Sequence, residues 1–117
     1  MRKKEVILKN YLEMKPKRAE DILWTSNEAG DVTIEIENKG MVNRLAQLIF
    51  SKPKTSFVHL DKTGSFIWNL LDGEKTIIEI GKSVEKNFGD SVKPLYERLS
   101  KYIQILESYN FISYKKD

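Results

Sequence analysis

Between Asp61 and Ser91 the chain is punctuated repeatedly by residues that start or stop helices, and this leaves its second half little freedom to be anything but short helices. Asp61 stands as an N-cap before Phe66, Ile67, Leu70 and Leu71, which fall on one helical face. Asp72-Gly73 stops that helix. Thr76 precedes Glu79 by three residues, the capping-box spacing, and opens a second helix with Ile77, Ile80, Val84 and Phe88 at helical intervals. Gly89 closes it. Asp90 or Ser91 is then expected to cap the longest helix, whose buried stripe is Leu95, Leu99, Ile103 and Leu106, with Tyr96 and Tyr102 toward its sides.

The first half follows a different period. Ile22–Thr25, the turn-rich 26–31 and Val32–Glu37 predict a hairpin, because Val32, Ile34 and Ile36 alternate with Thr33, Glu35 and Glu37. Thr55–Leu60, rich in β-branched and aromatic residues and bounded by Pro53 and Asp61, predicts a third strand. Between them, Met41, Leu45, Leu48 and Ile49 predict a helical insertion over 39–50 that Pro53 ends. Phe111–Tyr114 predicts a short terminal strand or extended tail. Strands followed by helices, without alternation, define an α+β domain.

Composition removes most catalytic chemistries. The chain of 117 residues has no cysteine and one histidine, His59, so disulfides, thiolate catalysis, cysteine-bound metals and paired imidazoles are excluded. His59 and Asp61 resemble half of a triad, but Asp61 is better spent capping the next helix, and His59 reads as a structural or peptide-contacting residue. The glycines fall singly, so no phosphate-binding loop is expected, and the scattered carboxylates have no metal-ligand spacing. Trp68, within an apolar helix, reads as core, whereas Trp24 is balanced between core and interface. The residues thus predict a non-catalytic binding module without metal or cofactor. The basic start lacks the apolar core and cleavage site of a signal peptide, so a cytoplasmic protein with no membrane segment is expected.

The net charge of +3 is unevenly divided. Residues 1–18 hold seven Lys/Arg against two Glu, whereas the remainder holds thirteen cations against fifteen carboxylates. A basic N-terminal arm (1–18) followed by a slightly acidic domain (19–117) is the expected organisation, with Lys15–Arg18 as a break around Pro16. The rival to a non-catalytic binding module is a winged-helix DNA-binding transcriptional regulator reading the major groove with its last helix. Residues 61–117 carry nine basic and nine acidic residues, which speaks against nucleic acid as partner.

The segment Val58–Ile80, with His59-Leu60-Asp61, Thr63-Gly64, Trp68, Leu71-Asp72-Gly73 and Thr76-Ile77, resembles the PqqD family. Phe88-Gly89 and Leu106–Ile112 look like that family's ending. The resemblance covers 55–114 and implies a winged-helix-like domain of three antiparallel strands and three C-terminal helices. It also implies a recognition element that binds the leader of a ribosomally synthesised precursor peptide. Such an element presents the peptide to a modifying enzyme, often a radical S-adenosylmethionine enzyme. The leader is expected to add beside Thr55–Leu60, touching Thr55, Phe57, Val58, His59 and Leu60, in a cleft walled by Tyr96, Leu99, Tyr102 and Ile103. The arm and the helical insertion depart from the simplest members, and the insertion leaves room for a strand-exchanged homodimer.

Overall fold

The computed structural model describes residues 10–37 and 55–115; the expected helix at 39–50 and the first half of the arm lie outside this range. The described elements are β1 (Lys15–Arg18), β2 (Leu23–Ser26), β3 (Val32–Glu37), β4 (Thr55–His59), α1 (Lys62–Leu70), α2 (Ile77–Phe88), α3 (Leu95–Ser108) and β5 (Ile112–Lys115). β2, β3 and β4 form an antiparallel sheet in that order, so β4 is an edge strand among the described residues. Val32 and Ile34 are fully buried on one face of this sheet. They pack against Ile67 and Trp68 of α1, Ile77, Ile80 and Val84 of α2, and Leu99, Ile103 and Leu106 of α3.

The helix boundaries follow the chemistry of their capping residues. Gly64 N donates to Asp61 Oδ1 at 2.7 Å, and Thr76 and Glu79 form the reciprocal capping box. Gly89 ends α2 at φ 60°, a conformation that costs glycine little. The expected cap of the last helix does not form. Gly89–Val92 is instead a short 3-10 turn, and α3 starts at Leu95 behind Pro94 without a side-chain cap. Asp90 is spent at that turn, where it pairs with Lys93.

A second correction concerns the arm. Lys15–Arg18 is not a break but strand β1, paired antiparallel with β5. Pro16 is tolerated because its side of the strand faces the 71–73 loop. There Pro16 O accepts from Gly73 N at 3.0 Å and Arg18 N donates to Leu71 O at 3.0 Å. A missing N–H at Pro16 therefore costs the β1–β5 ladder nothing. Arg18 also closes the end of α1: its Nη1 donates to Trp68 O at 2.8 Å, and its guanidinium lies over the Trp24 ring at 5.3 Å. Part of the arm's charge thus holds the domain together.

The α1–α2 loop is organised by Asp72, which accepts from the backbone N–H of Glu74 and Lys75 and pairs with Lys75 Nζ at 2.6 Å. The Lys75 ammonium, aided by the two backbone donors, holds the Asp72 carboxyl down at about 2, below its ordinary 3.8. A depressed carboxyl contributes stability above the unfolded value and loses it as pH falls through the folded one. Asp72→Asn should therefore flatten the acid limb of the stability–pH profile between about pH 4 and 2. Superimposable acid limbs in urea titrations of the two proteins would contradict this.

Candidate binding edge and helix-walled cavity

The open edge of β4 has a defined hydrogen-bond phase. Leu60 N donates to Val32 O at 2.9 Å, and Ile34 pairs with Val58 and Ile36 with Ser56 in the same register. Antiparallel ladders alternate, so residues 56, 58 and 60 direct their N–H and C=O groups to β3. Thr55, Phe57 and His59 direct theirs outward. On the opposite side of β3 the phase is complementary, since Asn27 N donates to Asp31 O and Thr33 and Glu35 face Thr25 and Leu23.

Side chains alternate with the same period. Val58 and Leu60 are half-buried against the core, as their partners Ile34 and Val32 require. On the solvent face stand Phe57, 59% exposed, and His59, whose Nδ1 lies 2.9 Å from Thr33 Oγ1. His59 and Asp61 do not act together: Asp61 leaves the strand to cap α1.

A cavity of about 180 Å³ opens where β4 gives way to α1. Asp61, Thr63 and Gly64 form one side, Ile67, Val84 and Val92 the apolar floor, and Leu95, Arg98, Leu99 and Tyr102 the wall contributed by α3. Tyr102 Oη donates to Gly64 O at 3.1 Å and ties α3 to the first turn of α1. Burial, with the Asp61 charge nearby, pushes this phenol well above its ordinary value, so it remains a donor. A Cβ at Gly64 would lie 3.0 Å from both Tyr102 Oη and Asp61 Oδ1, so the close approach of the two helices uses the glycine.

The nine residues expected at the site divide clearly. Thr55, Phe57 and His59 lie on the open phase of the edge, and Leu99 and Tyr102 line the cavity. Val58 and Leu60 face inward. Ile103 is fully buried core, and Tyr96 is wedged between α3 and α2, where a methyl group on Gly81 would lie 2.5 Å from its ring. Tyr96 Oη donates to Ile78 O at 3.3 Å, a role in helix packing. Sequence reading missed Arg98 and Thr63 at the cavity and the buried Ser65. Ser65 Oγ accepts from Val32 N at 2.8 Å and donates to Leu60 O at 3.3 Å, pinning α1 to the start of β3 and to the residue that follows β4. Only its place inside an apolar helix face could have singled it out.

Among the described residues, the small α+β domain thus has an edge strand whose outward main-chain groups face no further strand, leading to a cavity with an apolar floor between helices. Residues 42–112, more than half of the chain, match the family model of coenzyme PQQ synthesis protein D, and the protein belongs to this PqqD family. Family members are non-catalytic accessory proteins that bind peptides in the biosynthesis of PQQ and related ribosomal peptides. No curated protein and no solved structure matches the chain. Among the described residues no helix is long and apolar enough to cross a membrane.

Proposed function

We propose that this protein, in a winged-helix-like arrangement, captures the leader of a ribosomally synthesised precursor peptide and presents the rest of that peptide to a modifying enzyme of the radical S-adenosylmethionine class. The leader adds as a further strand beside β4, bonding to the outward main-chain groups of Phe57 and His59. One apolar side chain of the leader enters the cavity beside Leu99 and Tyr102. The protein itself does no chemistry on the peptide. The observation that carries this reading is the open phase of β4: with no partner strand beyond it among the described residues, its edge groups are a template for pairing. A cavity of about 180 Å³ with an apolar floor suits one large aliphatic or aromatic side chain, and its polar rim leaves the peptide backbone hydrated.

The test is titration of the isotopically labelled protein with a synthetic leader, taken from a short precursor encoded beside its gene. Backbone amide shifts should concentrate at 55–60 and along the cavity wall, and the adjacent modifying enzyme should co-purify with the protein. Absence of any shift at high micromolar leader contradicts the reading for that peptide.

A further inference from the structure

The solvent face of the sheet carries a row that the cavity does not use. Leu23 pairs with Glu35, and Glu35 pairs with Phe57, so the three side chains run straight across β2, β3 and β4. Both apolar members are exposed, Leu23 by 52% and Phe57 by 59%. Glu35 and Phe57 form a non-hydrogen-bonded pair, the type that brings side chains closest. Glu35 has no hydrogen-bond or ion-pair partner among the described residues.

A strand added to β4 extends this row by one position. Whether it runs parallel or antiparallel, its residue beside Phe57 projects to the same face, because neighbouring strands align their pleats. That side chain meets an exposed aromatic ring first and an unpaired carboxylate beyond it. Strands are spaced about 4.8 Å apart, so Glu35 sits roughly 10 Å from the added backbone. Lysine and arginine are the side chains that satisfy both neighbours: their aliphatic stems cover the ring, the cation binds its face, and the head reaches toward the carboxylate.

Resting on the strand-addition reading, we propose that Phe57 and Glu35 together select a cationic residue of the bound peptide on the outer face of the sheet. Recognition is then two-sided. An apolar residue is read in the helix-walled cavity, and a lysine or arginine is read by the Phe57–Glu35 pair on the opposite face. Phe57 is the contact residue, and Glu35 sets the sign of the charge it accepts.

The test uses a displayed library of random dodecapeptides selected on the immobilised full-length protein. Selected peptides should share a lysine or arginine at one position, and replacing that cation with glutamine should weaken binding about 5-fold, the sum of a cation–π contact and a screened ion pair. Glu35→Gln and Phe57→Ala should each weaken the parent peptide and lose discrimination between it and the glutamine peptide. Equal binding of the two peptides to the unaltered protein, or undiminished discrimination by Glu35→Gln, overturns the inference. If the peptides still protect the Phe57 and His59 amides from hydrogen exchange in that case, strand addition stands and only charge selection fails. Selected peptides that protect neither amide, or a library that yields no binder, overturn strand addition and the inference with it.

Discussion

Trp68→Ala is expected to cost about 3–5 kcal/mol, a large part of the roughly 5–15 kcal/mol that holds a domain of this size together. Trp68 is completely buried, the bulkiest side chain in the core, and it packs T-shaped with Trp24, ring centroids 6.0 Å apart. Its removal would leave a void under the sheet that Val32, Ile34 and Ile67 cannot collapse to fill, because the first two are held in β3 by its ladders and the third in α1. The indole Nε1 is buried without a hydrogen-bond partner among the described residues. The ring is therefore retained for its volume, and Trp68→Phe, which also removes an unpaired donor, should cost much less than alanine. Urea titrations monitored by circular dichroism read both changes. Equal losses for phenylalanine and alanine would contradict the claim that the ring is retained for its volume.

Proline placed at two successive positions of β4 should have opposite consequences. Val58→Pro removes an N–H that the register aims at Ile34 and drives the ring into β3, so the sheet should lose at least about 3 kcal/mol. His59→Pro removes an N–H that points away from the sheet, where an edge strand tolerates proline, and should change stability by about 1 kcal/mol or less. The binding consequences are reversed in order. The folded His59→Pro protein presents a ring where an incoming strand needs a donor, and leader affinity should fall about 10-fold or more. Thermal melts and leader titrations of the pair separate the two effects. A His59→Pro protein that folds and binds normally would show that the leader does not use this edge.

Local chemistry made much of the fold legible. Caps at Asp61, Thr76 and Gly89 operate within a few residues, and the alternation of Val32–Glu37 needs only one buried face to be read. What escaped was long-range or competitive. β1 reads as a proline break because its partners, β5 and the 71–73 loop, lie far along the chain, and only they reveal that the proline side of the strand needs no donor. The start of α3 was displaced because Gly89–Val92 forms its own 3-10 turn first.

The open edge strand β4 was legible as a strand but not in its phase. The sequence of Thr55–Leu60 identifies the residues, while the division between inward Val58 and outward Phe57 and His59 follows from the pairing with β3. Tyr96 illustrates the limit on the helix side. A tyrosine flanking an apolar stripe reads equally well as cleft wall or as packing, and the absence of a Cβ at Gly81, fifteen positions earlier, decides for packing. The same reasoning reassigns Arg18 from a solvated arm to the end of α1, where its bond to Trp68 O links the first strand to the core.

Strand addition at β4 makes a demand that few other binding modes share, since it discriminates between adjacent residues of one strand. Amide hydrogen exchange, read residue by residue with and without saturating leader peptide, tests it most directly. Phe57 and His59 should change from fast exchange to strong protection, while Ser56 and Val58, already bonded toward β3, should change little. Uniform protection along β4, or protection confined to the helices around the cavity, would contradict the account.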